Sequence, residues 1–212
     1  MKRDAFAFFS CVLMIALLVH LSVGEEGSLF SPEKARSRLV KGAFSWIEAN
    51  REKIIEEWIH LTEIPAPSGH EEKRAAYMMK RFLSLWLDEV YKDSSGNVIG
   101  IWRGSSQGKK IILSAHMDTV FQGIWEIKVH REGGWLKAPG VGDDTASLIN
   151  LLWTIQALKE AGFHPENTYY FLATVGEEVG FVGMRNFLES TDEQFDILVA
   201  LDGDLGKVHY GA

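Results

Sequence analysis

Four short stretches of this chain carry side chains suited to gripping a divalent cation and moving a proton: His116-Met117-Asp118, Gly142-Asp143-Asp144, Gly176-Glu177-Glu178 and Asp202-Gly203-Asp204. In His116-x-Asp118 the two side chains share one side of an extended segment. A carboxylate can then take one imidazole N–H, fixing the tautomer, while the other ring nitrogen is left for a metal. Glu177 and Glu178, as chain neighbours, are expected to point apart, so that one ligates a metal and the other acts on water as general base. Asp143 stands at a turn opening a helix, where it can bridge two cations without burying an unpaired charge. Asp202 adds a further carboxylate. A donor set of imidazole and carboxylates suits borderline or hard divalent ions, with zinc favoured by the imidazole. Cys11 is the only cysteine, which excludes an intrachain disulfide and a cysteine-built zinc site.

Each cluster alone has a plainer explanation: a surface pair, a helix cap, a solvated face, a turn. Their placement changes the odds, because they follow short apolar runs that read as strands. These runs are Ile111–Ala115, the Lys128–Glu132 and Trp135–Ala138 arms of a hairpin around Gly133-Gly134, Tyr169–Thr174 and Ile197–Leu201. Val98–Trp102 reads as another strand. Ser31-Pro32 offers a helix start, and Val40, Ala43, Phe44, Ile47 and then Ile54, Ile55, Trp58, Leu61 follow at helical spacing, as one long helix or a pair. Pro65 and Pro67 interrupt it. Ser68 and Glu71 then read as a capping box for a helix carrying Ala75, Met78, Met79, Phe82 and Trp86. Leu148, Leu151, Leu152, Ile155 and Leu158 mark a further helix closed by Gly162, and a short one lies near Phe181–Leu188. This alternation predicts an α/β fold: an open, largely parallel sheet with helices on both faces. Such sheets place ligands beyond the carboxyl ends of their strands. Burying so much carboxylate there without cations would cost several kcal/mol per unpaired group.

The 212 residues carry 22 Lys+Arg against 29 Asp+Glu, a net charge of −7, with 46% hydrophobic and 24% charged residues. That composition fits one globular domain with a leader. The absence of a basic run argues against a nucleic-acid partner. Lys2 and Arg3, the apolar Ala5–Val23 and small Ser22 and Gly24 before Glu25-Glu26 have the form of a signal peptide over residues 1–24. The expected location is therefore exported, periplasmic or secreted. The same stretch, if uncleaved, would serve as a membrane anchor.

The order Leu113-Ser-Ala-His116-Met-Asp118-Thr-Val120, Gly140-Val-Gly142-Asp143-Asp144, Ala173-Thr-Val-Gly176-Glu177-Glu178 and Leu201-Asp202-Gly203 resembles the co-catalytic zinc peptidase family. That family includes tripeptide aminopeptidase (peptidase T), glutamate carboxypeptidase, aminoacylase and succinyl-diaminopimelate desuccinylase. The stretch Ile64-Pro-Ala-Pro-Ser-Gly-His-Glu-Glu72 resembles the substrate-side opening of the peptidase T branch, and the similarity covers about residues 50–212. The resemblance implies an amide or peptide hydrolase of two zinc ions, with cobalt or manganese as substitutes, acting on small peptides or N-acyl amino acids through a metal-activated water. It implies that His116 and Asp202 hold separate metals, Asp143 bridges them, Glu178 is a terminal ligand, Glu177 is the base and Asp118 orients His116. It leaves Asp144 without a role. Thr145 stands where many members have Lys. The family continues past the Asp202 region into a lid domain, the basis of homodimers, and then to a last His ligand. Residues 25–212 are thus expected to be the N-terminal part of the catalytic domain. His60, His70, His130, His164 and His209 match no ligand motif, and His209 falls in an expected strand Lys207–Tyr210. A lid-less zinc aminopeptidase, or a non-catalytic exported binding remnant lacking the last ligand, are the alternative readings.

Overall fold

The computed structural model describes residues 32–105 and 107–203. The expected leader, the Ser31 cap, His209 and the strand Lys207–Tyr210 lie outside them. The chain begins with α1 (Pro32–Ala35), α2 (Arg38–Ala49) and α3 (Arg51–Thr62), so the long helical stretch is a pair broken at Asn50. The Asn50 side chain donates to the Trp46 carbonyl at 2.9 Å, closing α2, while the Ser37 hydroxyl accepts the Val40 N–H at 3.3 Å and opens it.

α4 (Glu72–Ser84) starts later than a capping box on Ser68 would place it, and Glu71 makes no cap hydrogen bond. Both side chains are drawn toward the sheet end instead: the Ser68 hydroxyl donates to Asp118 Oδ2 at 2.7 Å, and Glu71 Oε1 accepts the N–H groups of Gly69 and Gly176. The helix also stops before Trp86, whose φ of 52° is left-handed and whose ring is 85% exposed. The chain turns there to enter β1, a strand that the sequence pattern did not reveal, because the residues of Glu89–Lys92 are mostly exposed.

β1 (Glu89–Lys92), β2 (Val98–Trp102), β3 (Lys110–His116), β6 (Thr168–Thr174) and β7 (Ile197–Ala200) form one sheet in the order β1-β2-β6-β3-β7. β6, β3 and β7 run parallel, β2 pairs antiparallel with β6, and edge strand β1 pairs antiparallel with β2, so that β1 runs in the direction of the central three. β4 (His130–Glu132) and β5 (Trp135–Lys137) make the expected hairpin apart from it. α5 (Thr145–Glu160) packs on β3, α2 and α3 and is buried on nearly every side, which is why its sequence is apolar all round rather than striped. The larger core lies on that face and includes Ile111, Leu113, Tyr169, Phe171, Leu151 and Leu158. On the opposite face α6 (Val182–Ser190) covers Ile99, Ile112, Tyr170 and Leu172 through Phe187. Alternation along the central strands thus fills both faces, the pattern of a sheet between helices. No helix among the described residues is long and apolar enough to cross a membrane.

One cation ties the helical layer to the sheet end. Arg74 on α4 is wholly buried and donates to the Ile64 carbonyl at 2.8 and 3.2 Å and to the Met117 carbonyl at 2.7 Å. Burial pulls its pKa down to about 10, against the attraction of Asp118, Asp144 and Glu71. Arg74→Met should lower the unfolding free energy by about 3 kcal/mol, since it strands buried carbonyls and removes the cation facing buried carboxylates. Urea denaturation of the chain measures this, and an unchanged midpoint would show that the guanidinium carries no structural load.

Candidate metal centre

β3 delivers His116 at its last residue and Asp118 two residues later, while β6, its parallel neighbour, ends at Thr174 and leads into the Gly176-Glu177-Glu178 turn. β7, on the other side of β3, ends just before Asp202. Adjacent parallel strands lie about 4.8 Å apart, so side chains leaving their carboxyl ends can meet over one point. The fourth contributor, Asp143, comes from the loop before α5, and the Trp58 indole holds that loop by donating to the Val141 carbonyl at 2.6 Å.

The expected ligands meet at His116 in two groups, Asp143 and Asp202 in one and Glu178, beside Glu177, in the other. Its Nε2 lies 3.0 Å from Asp143 Oδ1, 3.8 Å from Glu177 Oε2 and 3.8 Å from Asp202 Oδ1. Two groups have one donor atom from each member within 4.8 Å of the rest: His116, Asp143, Asp144 and Asp202, and His116, Glu177 and Glu178. The ring's other nitrogen, Nδ1, sits 3.0 Å from the Asp118 carbonyl oxygen and 3.3 Å from its carboxylate Oδ1, so that backbone and side chain of one residue together hold the imidazole. The other histidines belong to no such group among the described residues. His60 packs against Tyr77, and His70 meets Trp125 edge-on at 5.2 Å.

The expectation that Glu177 and Glu178 point apart is corrected. Their segment is a turn rather than extended chain, and both carboxylates reach His116. The cause is Asp118, which accepts the Glu177 N–H at 2.9 Å through Oδ1 and the Glu178 N–H at 3.2 Å through Oδ2, winding the backbone around one carboxylate. Gly176 enters that turn at φ 59°, a conformation costly for other residues. Asn97 holds the far end: its Oδ1 accepts the Val175 N–H, and its Nδ2 donates to the Gly183 carbonyl. Gly203 matters by its size, since a Cβ there would come within 2.9 Å of the Asp143 side chain.

Several residues that build this arrangement carry no signal in the sequence pattern. Ser68 and Glu71 read as caps, and no motif of the sequence takes in Asn97 or Arg74. Asp144, set aside at first, is fully buried and accepts the His116 backbone N–H at 2.9 Å. A Lys or Arg spaced to fall on an otherwise apolar helix face is the one signal that could have flagged Arg74.

Electrostatically the site is an acidic well. Burial alone would lower the His116 pKa, but Asp118, Asp144 and Glu177 reverse this and hold it up at about 10. Burial pushes Glu177 above the usual carboxylate range, reinforced by Asp202, Asp118 and Asp143, and it raises Glu178 as well, reinforced chiefly by Asp143. For Asp118 burial also acts upward, yet hydrogen bonds from His116, Ser68 and the Glu177 amide bring it below its ordinary value. Asp144 is raised well above its ordinary value by burial. The Oδ1 of Asp144 is buried without a hydrogen-bond partner. One imidazole amid Asp143, Asp144, Glu177, Glu178 and Asp202, with a buried oxygen unpaired, fits a divalent cation by donor type and charge. Exposed Val120, Phe121, Val179 and Phe181 stand beside the acidic turns.

A family model described as Peptidase family M20/M25/M40 matches residues 112–209. The uncharacterized protein YqjE of Bacillus subtilis is 29% identical over 171 residues, 75% of this chain and 46% of its own length. Carboxypeptidase G2 of a Pseudomonas species is 32% identical over 108 residues, covering 50% of this chain and 26% of that protein. Among solved structures, aminopeptidase PepT of Bacillus cereus superposes with a TM-score of 0.59 at 29% identity, over 73% of this chain and 44% of that one. The chain spans less than half the length of each of these proteins.

Because His116 holds its proton up to about pH 10 in the metal-free protein, against an ordinary value of 6.5, its contribution to stability is full below pH 6.5 and is lost as pH rises toward 10. The metal-free protein should therefore melt lower at pH 9.5 than at pH 6.5, with the difference reduced in His116→Gln. Zinc affinity should run the other way, rising with pH as the competing proton leaves. Melting curves and zinc titrations across this range test both, and a zinc affinity independent of pH would remove His116 from the ligand set.

Proposed function

We propose that the chain is a member of Peptidase family M20/M25/M40, whose model matches residues 112–209, and that the protein is a metal-dependent hydrolase of amide bonds in small peptides or N-acyl amino acids. The observation that carries the reading is the convergence of His116 Nε2 with Asp143, Glu177 and Asp202 at 3.0–3.8 Å, beyond the ends of three adjacent parallel strands.

His116, Asp143, Glu178 and Asp202 would hold divalent ions, zinc by the preference of imidazole, with cobalt or manganese as substitutes. When bound, such ions polarise the substrate carbonyl and make water a stronger acid. The chain's own residues do the rest. Asp118 and its carbonyl oxygen keep the His116 proton on Nδ1, so Nε2 presents its lone pair toward the cluster. Glu177 is the base. Its raised pKa suits it to accept a proton from the attacking water and return it to the departing amine. Asp118 fixes the Glu177 backbone through the amide, so the base cannot swing away with its turn. The exposed apolar Val120, Phe121, Val179 and Phe181 supply walls for the substrate's side chains. The signal-peptide form of residues 1–24 supports an exported enzyme, and pairing of two copies through a lid domain, as in the resembled family, belongs to the same reading.

The adjacent glutamates provide the test. Glu177→Gln should keep metal content while losing about 10²–10⁴-fold in amide hydrolysis, because only the proton carrier is gone. Glu178→Gln should lose metal, since an anionic ligand becomes a neutral amide. Metal content by atomic emission, beside hydrolysis rates for a panel of di- and tripeptides and N-acetyl amino acids, gives the answer. Equal metal loss in both variants, or full activity in Glu177→Gln, would overturn these roles.

A further inference from the structure

We propose that Asp144, the residue that the ligand set leaves out, is an anionic positioning residue of the metal centre: Oδ2 fixes the backbone that presents His116, and Oδ1 supplies a buried negative charge that a bound cation satisfies. The inference rests on the metallohydrolase reading and extends it to a residue for which the resemblance gives no task. Asp144 is fully buried, and its Oδ2 accepts the His116 N–H at 2.9 Å, joining the start of α5 to the end of β3. Its own carbonyl accepts the N–H groups of Ser147 and Leu148, so the residue is fixed on the helix side as well. The side chain does not cap α5, which removes the usual reason for an Asp at this position.

What remains is Oδ1, buried and without a hydrogen-bond partner. A buried carboxylate oxygen left unpaired is costly, and natural cores rarely keep one without a compensating charge. Arg74 attracts it from a distance, yet the hydrogen bonds of that guanidinium run to the Ile64 and Met117 carbonyls. One carboxylate oxygen of Asp144 lies within 4.8 Å of donor atoms of His116, Asp143 and Asp202. The Asp144 carboxylate, which the Ser147 side chain also influences, therefore lies beside the place where those groups converge. Asp143 and Asp202 are more than half exposed and can relax into water, whereas Asp144 cannot.

Asp144→Asn tests this in the full chain. The amide keeps an oxygen for the His116 N–H and nearly the same shape but deletes the charge. The zinc affinity, measured by competition with a chromophoric chelator, should fall 10–100-fold. The melting temperature of the metal-free protein should not drop, because the amide keeps the oxygen that accepts the His116 N–H and nearly the same shape. A purely structural Asp144 would give the reverse: a lower melting temperature with zinc affinity within twofold of wild type, and that result overturns the proposal. Asp144→Ser, smaller and also neutral, repeats the comparison. If neither variant folds without metal the proposal also fails, because it assigns the charge to the cation and not to the metal-free fold. Wild-type protein that takes up no zinc would refute the metallohydrolase reading itself, and this inference with it. Uptake by wild type that Asp144→Asn leaves unaltered refutes the inference alone.

Discussion

The Asp118 carboxylate ties together the imidazole and the two-glutamate turn of the site. It is wholly buried, and its two oxygens receive the Glu177 amide, the Glu178 amide and the Ser68 hydroxyl, with His116 Nδ1 at 3.3 Å. Those donors come from three separate stretches: the end of β3, the turn after β6 and the loop between α3 and α4. A single anion with four donors is a strong hydrogen-bonded centre, because charge-assisted bonds are roughly twice as strong as neutral ones. The same bonds overcome the burial that would otherwise protonate it. Arg74 supports the arrangement by holding the carbonyls of Ile64 and of Met117, the residue next to Asp118. Loss of the negative charge on Asp118 would release the Glu177-Glu178 turn and the imidazole together.

The topology explains why this anchor is needed. Parallel β6 and β3 end together and β7 ends opposite Ser114, two residues earlier, so His116, the Glu177-Glu178 turn and Asp202 are delivered to one edge. Delivery alone would leave flexible acidic loops that repel one another. Like-charged groups within a few ångströms either take up protons or gather a cation. Here both responses are visible in the residues: Glu177 and Glu178 are shifted upward, and His116 is held protonated far above its ordinary range. In this sense the imidazole proton stands where a metal charge would, and the two compete for the same well.

The sequence disclosed the strands, their acidic ends and the helix of buried Leu and Ile residues, because apolar runs and polar clusters are local signals. His116, Asp118, Asp143, Glu177, Glu178 and Asp202 could be picked out for that reason, and the structure brings them to one edge. What it hid were long-range hydrogen bonds. Ser68 and Glu71 have the types and spacing of a capping box, yet tertiary partners at Asp118 and Gly176 claimed their side chains. The Glu-Glu pair was misread as diverging because alternation holds in a strand and fails in a turn wound on a carboxylate. β1 escaped because an exposed four-residue edge strand has no apolar alternation to detect. Arg74 was invisible for the converse reason: a charge on a helix reads as solvated until burial is known.

The site divides into an inner and an outer half, and the division has chemical consequences. His116, Asp118 and Asp144 are buried and locked by backbone hydrogen bonds, whereas Asp143 and Asp202 remain more than half exposed. An inner half with fixed geometry sets the electrostatic depth of the well before any ion arrives, and so governs affinity through preorganisation. The outer half lies open to solvent beside the exposed Val120, Phe121, Val179 and Phe181, where a substrate must approach. On the proposed reading, substitutions inside should therefore act first on metal retention, and those outside on substrate recognition. Glu177 sits at the boundary, fixed through its backbone by Asp118 yet reaching His116 with a partly exposed carboxylate, which is the position a proton carrier needs: anchored at the root and accessible at the tip.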